Sequence, residues 1–166
     1  MATRRDAEVS VTLSILDRLT DREPENQQEA MQSQAASVRQ LKAAVRRDLE
    51  WLLNTRRIAT DLPETYELLS ESLYNYGLPD FSAYSVNSPR DRARLLRTLE
   101  KTISLFEPRL MQVKVIPMEV EAGVTRMLRF QIQALLRMDP APEHISFDTV
   151  LQLSSGEYQI RGERGA

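Results

Sequence analysis

The sequence contains no cysteine and a single histidine. A disulfide framework, thiolate chemistry and a recognisable zinc cluster are therefore excluded. Glycine is scarce as well: Gly77, Gly123, Gly156, Gly162 and Gly165 are all there are. They are too dispersed to build a phosphate-cradling loop ending in Lys-Ser or Lys-Thr, or a dinucleotide fingerprint, so no cofactor is expected. No apolar run approaches the roughly twenty residues of a membrane span. The N-terminus carries Arg4, Arg5 and Asp6 without the apolar stretch of a signal peptide. Both points make a cytoplasmic protein without direct membrane insertion the expectation. Neither sign of charge dominates: 22 basic and 24 acidic residues leave a net charge of -2. That argues against a dedicated nucleic-acid binder, whose affinity rests on neutralising phosphates.

What remains is a chain of 166 residues with 42% apolar side chains. It is long enough for one globular domain plus a tail, and such a domain removes roughly two-thirds of its unfolded surface from water without staples. Its cations are almost all arginine, 19 against three lysines at positions 42, 101 and 114. Arginine's planar fork suits interfaces with carboxylates, and a genome rich in arginine codons explains the same bias. Residues 1–36 read as a flexible arm, because Thr20 to Ser37 carries mainly Asp, Glu, Gln, Asn and Ser. Ahead of that linker lies a short apolar cluster, Val11, Leu13, Ile15, Leu16 and Leu19. Such a cluster either folds back on its own core or plugs into a partner.

Residues 37–166 read as a single domain. Ser37 is placed to cap a helix whose apolar stripe is Val38, Leu41, Val45, Leu49 and Leu52, ending near Asn54. Pro63 suits the first turn of a second helix through Tyr66, Leu69 and Leu73, stopping at Tyr76-Gly77. A third begins with Ser88 as cap, Pro89 and Asp91, buries Leu95, Leu99, Ile103 and Phe106, and ends before Pro108. Beyond Pro108 the period changes from helical to two. Met111, Val113 and Val115 point one way in a first strand. Leu128, Phe130, Ile132, Ala134 and Leu136 make a second, and Ile145, Phe147, Thr149 and Leu151 a third. A turn at Ser154-Ser155-Gly156 returns the chain through Tyr158 and Ile160. Helices first and strands later predict an α+β fold, with helices packed on one face of a small antiparallel sheet of three or four strands.

Catalytic signatures are sparse. There is no Gly-x-Ser-x-Gly elbow, and His144 sits at the start of the third strand, where a structural histidine is the commoner reading. A glycosidase, however, needs only two carboxylates about 5 to 10 Å apart, one of them kept protonated. Glu107, between Phe106 and Pro108, is the best candidate acid, with Asp91, Glu119 or Asp148 as its partner. Arg109, two residues on, favours an ion pair over a general acid. The alternatives are thus a structural or interface clamp and a muramidase-like hydrolase acting through Glu107.

Four segments taken together resemble one family: Ser14-Ile15-Leu16-Asp17-Arg18-Leu19, the run from Val45 to Arg56, Tyr76-Gly77-Leu78-Pro79-Asp80-Phe81-Ser82, and Phe106-Glu107-Pro108-Arg109-Leu110. Phe147-Asp148-Thr149 fits the same pattern. The chain resembles the TssE family, baseplate subunits of the bacterial type VI secretion system related to the small wedge protein of contractile phage tails. The resemblance implies a non-enzymatic protein that joins a hetero-oligomeric wedge with TssF and TssG, near TssK, as the platform for the TssB and TssC sheath. It also implies that the Glu-Pro-Arg motif at Glu107, Pro108 and Arg109 contacts partners. A regulator sharing the wedge fold is a further possibility.

Overall fold

Ser88 opens the helix that organises the domain. Its hydroxyl accepts from the Asp91 backbone N–H at 3.3 Å, and Pro89 occupies the first turn, where its missing N–H costs nothing. In the computed structural model, which describes residues 14–20, 34–58, 67–81, 84–85, 88–118, 127–139, 141–152 and 156–163, this helix is α4 (Pro89–Phe106). It follows α1 (Ile15–Leu19), α2 (Gln34–Asn54), α3 (Glu67–Ser70) and a 3-10 turn at Leu73–Asn75. Four strands come after it: β1 (Leu110–Pro117), β2 (Met127–Leu136), β3 (Glu143–Gln152) and β4 (Glu157–Glu163). They pair antiparallel in the order β1-β2-β3-β4, a meander.

The helices lie on one face of this sheet, as the change of period predicts. α2 contributes Leu41, Val45, Leu49, Leu52 and Leu53 to the core, and α4 contributes Leu95, Leu99 and Ile103. Phe130, Ile132 and Leu136 of β2 face them from the sheet, fully buried. Each such side chain withdrawn from water is worth about 2 kcal/mol. The register sets Phe130 opposite Thr149, Ile132 opposite Phe147 and Leu151 opposite Tyr158, so the buried stripe crosses the sheet without a break. On the far face Gln131 donates to Asp148 at 3.0 Å and Gln133 to Gln131 at 2.7 Å.

Three expectations need correction. Ser37 is not a cap, because α2 already begins at Gln34. The single second helix is broken at Ser72: its hydroxyl donates to the Leu69 carbonyl at 2.8 Å and accepts from the Tyr74 N–H, offering the backbone a local alternative to the helix. Leu73 is consequently 82% exposed and not part of a buried stripe. Pro63 and Tyr66 lie outside the described residues, as does the predicted turn at Ser154-Ser155. In β1 the alternation fails at a bulge between Met111 and Lys114, where Gln112 has φ 53°. The extra residue shifts the parity, so Leu110 and Val115 are buried while Met111 and Val113 are half-buried.

The loop after the 3-10 turn is fixed to the end of α2. Leu78 N–H donates to the Thr55 carbonyl at 2.8 Å, Arg57 N–H donates to the Leu78 carbonyl at 3.0 Å, and Leu78 is fully buried. Gly77 permits this, with φ 100° and only 2.4 Å between a would-be Cβ and the Thr55 oxygen.

Candidate functional site

α4 stops at Phe106 because the residue before a proline resists helical geometry. Glu107 leaves the helix with φ -121° while its N–H still donates to the Ile103 carbonyl at 2.9 Å. The chain turns, Leu110 N–H donates to the Glu107 carbonyl at 3.0 Å, and Arg137 of the β2 end donates its N–H to the Arg109 carbonyl at 2.8 Å. This corner aims two side chains at each other. Glu107, 4% exposed, takes Arg109 Nε on Oε1 at 2.7 Å and Arg109 Nη2 on Oε2, a bidentate pair. Pro108 between them is exposed.

The pair extends into a cluster. Arg109 Nη2 also donates to Asp48 Oδ2 of α2 at 2.6 Å. Arg47 donates to Asp48 Oδ1 through Nε at 2.9 Å and Nη2 at 2.8 Å, and to Asp17 Oδ1 of α1 through Nη1 at 2.7 Å. Among the described residues three carboxylates thus alternate with two guanidiniums, leaving one negative charge in excess. Burial pulls the Arg109 guanidinium down, but its bonds to Glu107 and Asp48 outweigh that and hold it above its ordinary value, permanently charged. Bonds to Asp17 and Asp48 raise Arg47 in the same way, against burial. Burial and the Asp48 and Glu107 charges push the Tyr76 phenol up. For Asp17, burial raises the carboxyl, yet the bonds from Arg47 and Ser14 prevail and keep it below its usual range.

The cluster explains how α1 is held. Ser14 caps the helix, its hydroxyl receiving the Asp17 N–H at 3.1 Å, and Asp17 turns inward to Arg47. The apolar side chains do not follow: Ile15 is 75%, Leu16 47% and Leu19 79% exposed. Among the described residues, the ion pair of Asp17 with Arg47 is what fastens α1, with Leu16 half exposed beside it. Leu13 lies outside the described residues. Leu16 shares a depression of about 400 Å³ with Trp51, Tyr76, Glu107, Pro108 and Arg109. Trp51 is 53% exposed, with the Arg47 guanidinium 5.2 Å from its ring centre.

Sequence reasoning assigned roles to Glu107, Pro108 and Arg109, and the geometry brings them together. It assigned none to Asp17, Arg47, Asp48 or Trp51. Arg47 and Trp51 are four residues apart on one helical face, a signal visible in the chain. The partnership of Asp17 and Asp48 with arginines 30 and 61 residues away has no local signature. The candidate second acids are placed elsewhere. Asp91 is in the first turn of α4, about 24 Å along the helix axis from Glu107. Asp148 is mid-strand in β3, bonded to Gln131. Glu119 lies outside the described residues. His144 is exposed at the start of β3, as expected.

The family of the baseplate wedge protein gp25 has a model that matches residues 39–141. The chain belongs to that family. Membership spans α2 through β2 and includes the whole Glu107–Arg109 corner. The gp25 wedge family is also the one TssE belongs to, and three of the four segments that carry the resemblance lie within the matched residues. It gives the chain a phage-tail-like baseplate role, assembled with other baseplate subunits. Comparison with curated proteins and with solved structures returned no match. Among the described residues no helix of this wedge protein is long and apolar enough to cross a membrane.

Proposed function

We propose that this wedge protein is the TssE-type subunit of a type VI secretion baseplate, a non-enzymatic cytoplasmic part that joins TssF and TssG near TssK. On this reading it presents its sheet as the platform on which the TssB and TssC sheath starts. The observation that carries the reading is the cluster at Glu107, Asp48 and Arg109 beside exposed Leu16, Trp51 and Pro108. An exposed tryptophan and leucine beside arginines match the aromatic and arginine enrichment of protein interfaces. Ile15 and Leu19 extend the apolar surface along α1.

The runner-up, a muramidase-like hydrolase, finds less support. Both Glu107 oxygens are taken by Arg109, so a proton on either would displace one of those bonds. A peptidoglycan-clearing assay separates the two readings. The assembly reading expects no clearing by the native chain or by Glu107→Gln, together with recovery of TssF and TssG on co-expression. Clearing that vanishes in a folded Glu107→Gln variant would establish the hydrolase.

Sheath contact by strand addition fits the topology, because β1 and β4 are the sheet's two edges. Each edge is partly occupied by side chains. Glu100 accepts the Val115 N–H at 2.8 Å, and Asn54 engages both the N–H and the carbonyl of Tyr158 at 2.9 Å. Among the described residues the part of β4 beyond Asn54's reach runs from Ile160 to Glu163. Hydrogen exchange on a complex with the first sheath ring should gain protection there, and unchanged exchange throughout residues 109–163 would eliminate strand addition.

A further inference from the structure

α4 has two faces of opposite character. Leu95, Leu99 and Ile103 turn to the core. Arg90, Arg94, Arg97 and Lys101, spaced by four, three and four residues, form one row on another side. This row lines a cleft of about 840 Å³, together with Arg57 and with Ser70, Glu71 and Asn75 from α3 and the turn beyond it. Among the described residues, five cations against the two carboxylates of Glu71 and Asp91 give the lining an excess of three positive charges, in a chain whose total is -2. The concentration is therefore local and not a consequence of overall composition.

Among the described residues none of the five cations is in an ion pair. Arg94 lies over the Tyr84 ring at 5.4 Å, Arg97 donates to the Ala93 carbonyl at 3.2 Å and Arg57 to Asn75 at 3.3 Å, all neutral contacts. Asp91 is engaged at the start of α4, accepting the Ser85 N–H at 3.2 Å. Like charges three and four residues apart repel along a helix, and only an anionic counterpart relieves them.

We propose that this cleft binds an acidic segment of a neighbouring protein chain in extended form. From Arg90 to Lys101 the row rises about 16 Å, the length of about five residues of extended chain. Guanidinium forks match carboxylates bidentately. Glu71 and Asp91 favour a polypeptide over nucleic acid, since they accept main-chain N–H groups but repel an unbroken line of phosphates. The surface is separate from the Glu107 cluster, for among the described residues Phe106 alone lines both.

The test is fluorescence anisotropy on the full chain with labelled hexaglutamate, hexaglutamine and a six-nucleotide thymidylate oligomer, at about 50 and about 300 mM salt. Hexaglutamate should bind at the lower salt and weaken at the higher, while hexaglutamine should not bind. Arg94→Glu with Lys101→Glu should weaken hexaglutamate roughly tenfold, and Arg39→Glu on α2 should change it by less than about twofold. Both residues of the double variant are exposed, so its thermal transition should match the native one. Absent hexaglutamate binding, equal binding by the double variant, or tighter binding of the oligonucleotide would each overturn the proposal. The readout uses no baseplate subunit, so it fails or succeeds independently of the assembly reading.

Discussion

Two buried side chains illustrate what polar groups do in this core. Glu107 is satisfied by Arg109, and Arg109→Ala would strand its charge under a shielded corner. Breaking such a pair from one side should cost about 3 kcal/mol in urea unfolding, and Arg109→Lys should recover only part of it because a lysine cannot bridge Glu107 and Asp48 with one planar group. Thr149 is the opposite case. It is 1% exposed, stands between Phe130 and Ile160 in the register, and its hydroxyl has no partner among the described residues. Thr149→Val removes an unsatisfied group while keeping the shape, so it should stabilise by about 1 kcal/mol and raise Tm by about 2 to 4 °C. A lowered Tm would show that the hydroxyl is satisfied in solution.

The elements differ in how they are held. α2 and α4 are fastened by wide apolar stripes, whereas among the described residues it is Asp17 that ties α1 down. Its carboxyl titrates below its ordinary 3.8 in the folded chain. The stabilisation it gives is therefore present above that ordinary value and is lost as pH falls through the lower folded one. Fluorescence of Trp51, the sole tryptophan, should report α1 leaving Arg47 under acid below about pH 4. In Asp17→Asn the signal should already be that of the released state at neutral pH, and an unaltered acid transition in that variant would refute the latch. Gly77→Ala forces a side chain into the Thr55 carbonyl at a positive φ, and should cost upwards of about 2 kcal/mol with the loss concentrated at Leu78. Legibility follows the same division. α4 could be read almost to the residue because its cap, proline and stripe are all local signals. The break at Ser72 and the bulge at Gln112 could not, since a serine that stops a helix and one that rides on it look alike in sequence, and β1 takes its parity from its pairing with β2. At the site, the Glu107–Arg109 pair was visible as near neighbours, and its extension through Asp48 and Arg47 to Asp17 appears only once the chain is folded.

At the scale of the whole molecule the charges are sorted by surface. A basic cleft runs along α4, a shared ion network sits at the α4 to β1 corner beside exposed apolar side chains, and the β-sheet keeps two edges partly engaged by Glu100 at Val115 and Asn54 at Tyr158. A baseplate wedge protein assembles with other baseplate subunits, and separate surfaces of distinct chemistry would let different partners be recognised without competition. The corner is the surface on which the assembly account rests. Leu16 and Trp51 flank it and are half exposed, so Leu16→Asp with Trp51→Asp alters that apolar surface while sparing the core. Co-purification of TssF and TssG with that double variant, alongside its thermal transition, is the deciding measurement. A native-like transition with wedge subunits lost from the pull-down is the expected result, and full recovery of TssF and TssG on a folded variant would refute the corner's role in assembly.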